Sequence, residues 1–361
     1  FSPKVEEYAI PNIVFVNHAS YILSYKNIKI LVDPWFSGSA FDNGWSLLVN
    51  NYLKDDEIKN ITHIWYSHEH PDHFSVSDLR HIFQINPNIE ILFQETNDKR
   101  VVNFCKKIGF EYRELANFKI TNLAEDFTIQ VVKCGLLDSL SIMNFENKCI
   151  LNLNDCIPNE EMFKLKKLLL NNKKQIVLFT QFSYAEKAGN PNQPEKRDNA
   201  AKRKFKQIRQ QIEIFRPDFI IPFASHIFFS NKENYYLNDK IVKIEDVQNY
   251  VKNNFSYAHP VVLYPGEKWL FTKKSNTNSI EQYRISRKNI KVLYQDPKVS
   301  LEELVKEFEF FRERVFSKNN FYLIFLTKLI LNMLKKSFIP KIHFLIKDHY
   351  KVITLDLLFG S

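Results

Sequence analysis

Short apolar segments separated by turns fill the first third of the chain. The segment NIVFVNHASYILSY at residues 12–25 predicts two strands broken near His18, and IKILVDPWF at 28–36 predicts a third strand that ends at a proline. The β-branched and aromatic run ITHIWY at 61–66 is typical of a buried strand. The segment SVSDLRHIFQINP at 75–87, with serine before it and proline after it, predicts a helix.

The middle of the chain repeats this alternation. Apolar runs predict five further strands, at residues 127–134, 139–145, 148–156, 174–182 and 218–229. The last strand is expected to carry Ser225 and His226 at its tip. A helix is expected before the fourth of these strands, and a long basic helix before the fifth. Strands and helices mixed in this order indicate an α/β fold with layered sheets and helices outside.

The pattern changes after about residue 265. Polar residues dominate 273–289. A helix at 300–315, an apolar helix at 321–334 and two strands near the end of the chain are then predicted. These changes predict a larger domain over residues 1–272 and a smaller C-terminal accessory α+β region over 290–361.

Composition indicates a globular protein with an anionic partner. The chain has 361 residues, 45% of them hydrophobic, and a formal net charge of +9. The densest basic run, EKRDNAAKRKFKQIR at 195–209, has no groove-reading motif or RNA-binding aromatic motif beside it, so no nucleic-acid partner is expected. The run is either a solvated helix face or a face that binds an anionic small-molecule substrate through Lys202, Arg203 and Lys204.

Cysteine usage and apolar run lengths favour a cytoplasmic protein. The four cysteines form no C-x-x-C pair and are too few for a disulfide scaffold. No signal peptide is predicted at the start of the sequence. The longest apolar run, at 321–334, includes Lys328 and is shorter than the roughly 20 residues that span a bilayer, so no membrane span is expected.

The stretch YSHEHPDHFS at residues 66–75 concentrates three histidines and two acidic residues directly after a predicted core strand. A solvated polar loop is the simplest explanation. However, imidazole and carboxylate are also the side chains that bind zinc and iron, and a strand end gives ligands a rigid support. The stretch therefore predicts a metal site.

The order His-x-His-x-Asp-His at 68–73, then Asp155 and His226 after later strands, resembles the metallo-β-lactamase superfamily. More narrowly, LVDPWFSGSAFDNGWSLL, SHEHPDHFSVSDL, ILNLNDC and PFASHIFF resemble the catalytic part of the CMP-N-acetylneuraminate hydroxylase family and its relatives acting on UDP-linked amino sugars. The resemblance covers most of residues 12–270. It implies a metallo-β-lactamase αββα sandwich, with the catalytic site in the larger domain.

The resemblance also implies two divalent metal ions, iron or zinc, in one pocket. By that resemblance His68 and His70 bind the first ion, while Asp72, His73 and His226 bind the second. Asp155 would bridge the two ions, and Asp72 and Asp155 are the candidate catalytic carboxylates. A packed strand-end residue is the alternative for His226.

One ligand of the superfamily pattern is missing, because no histidine lies between His81 and His226. Cys134 and Asp138 are two candidate replacements on the first ion. Their alternatives are a buried thiol for Cys134 and a turn-capping residue for Asp138.

Two further residues are candidates for supporting roles around the ligands. His18 at the strand break is a candidate for a supporting or substrate-contacting role. The resemblance gives Asp33 the role of orienting the metal loop.

The resemblance implies hydroxylation by dioxygen of an anionic, nucleotide-linked or phosphorylated amino sugar. The hydroxylases carry a Rieske iron–sulfur module with a Cys-x-His and a Cys-x-x-His pair, and this sequence contains neither. A separate Rieske or ferredoxin electron donor is therefore expected. The alternatives are a metal-dependent hydrolase of a phosphoester, lactone or amide, and a non-catalytic, metal-poor binding protein.

Overall fold

The computed structural model describes residues 10–49, 53–170, 174–273, 278–296, 300–318, 342–346 and 349–355. The chain divides into two compact units, Phe1–Tyr294 and Gln295–Ser361. The apolar helix predicted at 321–334 lies outside the described residues. Within those residues, no helix is both long enough and apolar enough to cross a membrane.

The first unit contains seventeen described strands. In chain order they are β1 (Asn12–Asn17), β2 (Ser20–Tyr25), β3 (Ile28–Val32), β4 (Ser39–Ala40), β5 (Trp45–Leu47), β6 (His63–Tyr66), β7 (Glu90–Gln94), β8 (Glu111–Leu115), β9 (Ile120–Ala124), β10 (Phe127–Cys134), β11 (Asp138–Phe145), β12 (Lys148–Asn152), β13 (Gln175–Gln181), β14 (Phe219–Phe223), β15 (Ile227–Phe229), β16 (His259–Pro260) and β17 (Lys268–Trp269).

Seven α-helices accompany these strands in the described part of the first unit, and a 3-10 helix covers Tyr235–Lys240. The helices are α1 (Asp55–Ile58), α2 (Val76–Ile85), α3 (Arg100–Ile108), α4 (Glu160–Leu170), α5 (Pro194–Phe215), α6 (Ile244–Asn254) and α7 (Ser279–Lys288). The predicted serine cap of α2 is present, because the Ser75 side chain accepts a hydrogen bond from the Asp78 backbone N–H.

Two seven-stranded sheets form the centre of the first unit. The first has the order β17-β1-β2-β3-β6-β7-β8 and the second the order β16-β14-β13-β12-β11-β10-β9. In both sheets, antiparallel strands on one side give way to parallel strands on the other, starting at β3 in the first and at β12 in the second. A small sheet of order β15-β5-β4 lies apart from them.

Apolar side chains fill three layers around these sheets. One core lies between the sheets, where the rings of Tyr21 and Phe179 stack 4.3 Å apart. A second core packs α2 and α3 on the outer face of the first sheet. A third core packs α4, α5 and α6 on the outer face of the second sheet. The layers are thus helix, sheet, sheet and helix, and the predicted αββα sandwich is confirmed.

The strand predicted over 218–229 is interrupted. The chain leaves β14 after Phe223, passes through Ala224 with a left-handed φ of 51°, and resumes as β15 in the small sheet. The Ala224 N–H donates to the His18 carbonyl at 2.7 Å. This hydrogen bond fixes the turn beside the break between β1 and β2.

The second unit contains helix α8 (Leu301–Ser317) and a hairpin of strands β18 (Ile342–Ile346) and β19 (Lys351–Leu355) in its described part. Ser300 caps α8 by accepting from the Glu303 backbone N–H. Phe308 and Phe344 lie 4.7 Å apart and pack the helix against the hairpin.

Candidate metal centre

A cluster of imidazoles and carboxylates lies where several strands of both sheets end. Its members come from the turn after β1, the loop after β6, the start of β11 and the loop after β12. These residues form three overlapping groups. Within each group, the ligand atoms lie within 4.8 Å of one another. We call them the His/Asp cluster: His18, His68, His70, Asp72, His73, Asp138 and Asp155.

Asp33 fixes the loop that carries most of the cluster. It follows β3 and is fully buried. Its carboxylate accepts from the Ser67 N–H at 2.8 Å and the Ser67 hydroxyl at 2.7 Å, and also from the Asn154 amide. Its Oδ2 lies 3.1 Å from His73 Nδ1. A proton on Nδ1 leaves the Nε2 lone pair of His73 facing the rest of the cluster.

His68, His70 and Asp138 form one end of the cluster. His68 Nε2 lies 2.8 Å from His70 Nδ1 and 3.6 Å from Asp138 Oδ1. The other ring nitrogen of His68 lies 2.9 Å from the Ser67 hydroxyl, which holds the ring in place. Asp138 reaches this position because it opens β11, paired with Cys134 at the end of β10.

His18, Asp72 and His73 form the other end. Asp72 Oδ2 lies 3.2 Å from Nε2 of both His18 and His73. His18 has a left-handed φ of 37°, which turns the chain sharply between β1 and β2. Its ring packs edge-on against Trp35 at 5.5 Å.

Asp155 lies between the two ends of the cluster and is fixed by a hydrogen bond from Gln181. Its Oδ2 is 3.6 Å from His73 Nε2, and its Oδ1 accepts from the Gln181 side-chain amide at 2.8 Å. The side-chain oxygen Oε1 of Gln181 in turn accepts a hydrogen bond from the Lys204 ammonium. The amide of Gln181 therefore links a cation on α5 to the central carboxylate.

The charges of the cluster are strongly coupled. Burial lowers the pKa of His68 to about 4. Burial alone would raise the pKa of Asp72, but His73 and His18 hold that pKa well below its usual range. Burial likewise opposes a proton on His73, yet Asp72 and Asp155 raise its pKa well above the usual value. Asp72 and Asp155 are thus ionised beside a protonated His73, and a metal ion bound at His73 Nε2 would take the place of the proton on that atom.

Several buried polar atoms of the cluster have no hydrogen-bond partner. Among the described residues these include Asp72 Oδ1, His73 Nε2 and Asp138 Oδ1. Unpaired buried polar atoms are rare in native structures because each costs about 1–3 kcal/mol of stability. Nitrogen and carboxylate donors left free in this way fit a divalent cation of the zinc or iron type.

A cavity of about 700 Å³ opens onto the cluster. His70, Asp72 and Asp155 line its floor. Its walls come from the segment before β5, from the loop after β13 and from one face of α5. A cavity of this size accommodates a ligand larger than a single sugar phosphate.

The basic helix contributes part of its predicted surface to this cavity. Arg203 and Lys204 line it, as does Lys206. Lys202 is not among its lining residues. The Lys202 side chain is 72% exposed and pairs with Asp198 at 3.0 Å. Burial lowers the pKa of Lys204.

Two residues predicted from the sequence as ligands lie outside the His/Asp cluster. His226 is buried among aromatic rings, stacked on Tyr283 of α7 with 4.3 Å between ring centres. Neither of its ring nitrogens has a hydrogen-bond partner. The Cys134 thiol donates to the Val132 carbonyl at 3.6 Å. The structure brings Asp138, not Cys134, to His68 and His70.

Three features of the site were not predicted from the sequence. His18 joins Asp72 and His73 directly, whereas only a supporting role was expected. Gln181 carried no signal beyond its position at the end of a buried strand. Phe41 lines the cavity from a turn. It lies within LVDPWFSGSAFDNGWSLL, the segment on which part of the family resemblance rests.

Residues 12–134 match the family model described as the Beta-lactamase superfamily domain. A cytidine monophosphate-N-acetylneuraminic acid hydroxylase from Danio rerio is 27% identical over 155 residues, which are 40% of this chain and 25% of that protein. The protein of the same name from Cricetulus griseus is 23% identical over 271 residues, 70% of this chain and 47% of that protein. The chain spans less than half the length of these curated relatives.

Two solved structures share the fold. Igni18, a metallo hydrolase from Ignicoccus hospitalis, has a TM-score of 0.51 at 14% identity. The alignment covers 73% of this chain and 100% of the Igni18 chain. A mutant of the CmlA β-hydroxylase has a TM-score of 0.51 at 15% identity, covering 74% of this chain and 54% of that chain.

Proposed function

We propose that the chain is a metal-dependent enzyme acting on an anionic small molecule, because residues 12–134 match the Beta-lactamase superfamily domain and the chain shares its fold with metal-dependent proteins. One observation carries the proposal. Seven histidine and aspartate side chains cluster together, three of them line the floor of a cavity, and buried atoms among the seven have no hydrogen-bond partner. This donor set suits divalent metal ions.

The proposed ligand sets follow the two ends of the cluster. His68, His70 and Asp138 would hold one ion. Asp72, His73 and His18 would hold the second ion, with His18 at the place that the sequence assigned to His226. Asp155 would lie between the two ions. When bound, such a pair of ions supplies Lewis acidity and, if the metal is iron, redox capacity.

The surrounding residues would keep this donor set in place. Asp33 orients His73 so that the same ring nitrogen always faces the cluster. Gln181 and Lys204 fix one oxygen of Asp155 and leave the other facing His73. Arg203 and Lys206 place positive charge in the cavity wall, where an anionic group of the substrate would bind.

We propose more specifically a hydroxylase component that uses dioxygen on a nucleotide-linked or phosphorylated amino sugar. The names of the curated relatives and the basic wall of the cavity support this assignment. The electrons would come from a Rieske or ferredoxin donor, because neither cysteine–histidine pair of a Rieske module lies within these 361 residues.

A hydrolase of a phosphoester, lactone or amide is the second candidate. Hydrolysis needs no electrons, so this reaction would require no Rieske or ferredoxin donor. The fold accommodates both chemistries, because one of the similar structures is named a metallo hydrolase and the other a β-hydroxylase.

Elemental analysis of anaerobically purified protein tests the proposal. Close to two irons per chain, together with substrate-dependent consumption of dioxygen in the presence of a reductant, supports the hydroxylase. One or two zinc ions per chain without oxygen consumption supports the hydrolase. Protein that binds no metal tightly contradicts both and favours a non-catalytic binding protein.

A pair of variants ties the metal to the cluster. His70→Ala is expected to lower the metal content by at least one ion per chain. His81→Ala is the matched control, because His81 is 46% exposed on α2 and lies outside the cluster. An unchanged metal content in His70→Ala would refute the ligand assignment.

A further inference from the structure

The turn that precedes β5 has an unusual backbone. Phe41, Asp42 and Asn43 are consecutive non-glycine residues with φ values of 53°, 49° and 63°. This left-handed region is sparsely populated by such residues, least of all by bulky ones. Backbone strain of this kind persists where the surrounding structure enforces it, and it concentrates at functional sites.

Neighbouring segments hold this turn in place. The Gly44 N–H donates to the Phe41 carbonyl at 2.8 Å, and a Cβ at Gly44 would lie 2.8 Å from that same oxygen. The Gly44 carbonyl accepts from the Ser230 N–H and from the Asn234 side chain, each at 2.9 Å. The turn is therefore built into the small sheet and is not a loose loop.

The enforced turn presents an aromatic ring at the metal centre. The Phe41 ring lies 6.1 Å from the ring of His70 and 4.5 Å from the ring of Trp45. Phe41 and Trp45 both line the cavity, but Trp45 is almost buried whereas Phe41 remains 41% exposed. Part of the Phe41 ring is therefore accessible in the cavity that it lines.

We propose that Phe41 is a stacking platform that selects ligands carrying a ring with a planar or apolar face. Its partner would be an anion in which a ring contacts Phe41 while the charged group reaches Arg203 or Lys206 in the same cavity. The inference rests on the proposed function, because it assigns a substrate class to that site. Two sources share the required chemistry, a nucleobase and the apolar face of a pyranose.

Calorimetric titration of the protein as purified tests this assignment with three probes: cytidine monophosphate, glucosamine 6-phosphate and inorganic phosphate. Phe41→Leu removes the ring but keeps an apolar side chain. It is expected to raise the Kd of a ring-bearing probe about tenfold and to leave the Kd of inorganic phosphate unchanged. Phe41→Tyr keeps the ring and is expected to retain wild-type affinity for all three probes, while the unchanged phosphate affinity of Phe41→Leu excludes a folding defect at this turn.

Phe163→Leu is the matched control. Phe163 is 56% exposed on α4 and is not among the cavity-lining residues, so its replacement should change none of the three affinities. The probe that loses affinity in Phe41→Leu identifies the source of the ring. Loss for cytidine monophosphate alone indicates a nucleobase, and loss for glucosamine 6-phosphate indicates a pyranose.

Three results would overturn the assignment. These are equal affinities in wild type and Phe41→Leu, an equal loss for inorganic phosphate and the ring-bearing probes, and a wild-type protein that binds neither ring-bearing probe. Metal content measured on the same samples separates this failure from failure of the proposed function. A protein with full metal content and no dependence on Phe41 loses only the stacking inference.

Discussion

Asp33 shows how one side chain prepares a site for several others. It accepts hydrogen bonds from Ser67 and Asn154 and contacts His73, so it joins the loops after β6 and β12. Its own φ of 39° lies in the left-handed region, which aspartate tolerates better than most residues. The geometry of the His/Asp cluster therefore depends on a residue that is not itself a member of the cluster.

The residue that completes the first proposed ion site is Asp138. Asp138→Ala is expected to lower the metal content by about one ion per chain, because its carboxylate lies beside His68 and His70. Cys134→Ser is expected to leave the metal content unchanged, because the thiol bonds to a backbone carbonyl. Elemental analysis of both variants measures the difference.

Asp126→Ala is the control for this comparison, since Asp126 pairs with Lys26 away from the cluster. Metal loss in Cys134→Ser with full retention in Asp138→Ala would reverse the assignment. Loss in all three variants would indicate a general effect on folding and not on a ligand.

Local spacing was sufficient to predict the candidates in the loop after β6. The His-x-His-x-Asp-His order places four of them within six residues. The position of His18 depends instead on how the turn after β1 meets that loop. The direction of the His226 ring is set by stacking on Tyr283, a residue of another helix. Neither relation is visible in the spacing of the sequence.

At the scale of elements, α5 divides one basic run between two environments. Residues three or four apart share a helix face, so Ala200, Arg203, Lys204 and Gln207 line the cavity together. Lys202 points elsewhere and pairs with Asp198. Charge counting alone could not distinguish Lys202 from Lys204, whereas the helical period separates them.

This division predicts unequal effects on anion binding. Lys206→Met is expected to raise the Kd for inorganic phosphate at least tenfold, because Lys206 lines the cavity and a charge-assisted hydrogen bond contributes about 1.5–3 kcal/mol. Lys202→Met should leave this Kd nearly unchanged, because the Lys202 ammonium is exposed outside the cavity and paired with Asp198. Titration calorimetry at low ionic strength measures both, and equal effects would place the anion outside the cavity.

Apolar periodicity predicted where strands occur but not where they turn. The run at 218–229 is mostly apolar, which is typical of one buried strand. The structure divides it because Ala224 adopts a left-handed conformation and bonds to the His18 carbonyl. Alanine gives no turn signal, so this corner is set by a long-range contact.

At the scale of the whole molecule, both sheets contribute to one site. The loops after β3 and β6 come from the first sheet, and the loops after β12 and β13 come from the second. The core between the sheets holds these strand ends in register, with Tyr21 stacked on Phe179. The alternation of elements predicted layered sheets with helices outside and the family resemblance implied the αββα order, but neither predicted that the two sheets meet at the cluster.

The buried ring of His226 predicts how stability depends on pH. Burial holds the pKa of His226 well below its usual value. As the pH falls below about 6.5 the unfolded chain takes up a proton on this residue and the folded chain does not. The contribution of this residue therefore lowers the free energy of unfolding by about 1.4 kcal/mol for each pH unit. This decrease continues until the pH reaches the pKa of His226 in the folded protein.

His226→Phe removes this proton uptake and keeps an aromatic ring against Tyr283. Urea unfolding measures the free energy of unfolding at about pH 7 and about pH 5. The decrease between these two pH values should be about 2 kcal/mol smaller in the variant than in the wild type. His81→Phe, at an exposed position, should keep the wild-type dependence. An identical pH dependence in the wild type and in His226→Phe would contradict this expectation. The metal content of His226→Phe should equal that of the wild type.

The unpaired oxygen and nitrogen atoms of the cluster connect metal supply to the lifetime of the protein. A chain that folds without the proposed ions leaves Asp72 Oδ1 and Asp138 Oδ1 buried and unsatisfied. Ions that bind only the folded chain would add about 4 kcal/mol at a thousandfold excess over their Kd. When metal is scarce, more molecules are unfolded at any moment and open to proteases. Cellular abundance would then follow metal availability without any dedicated regulator.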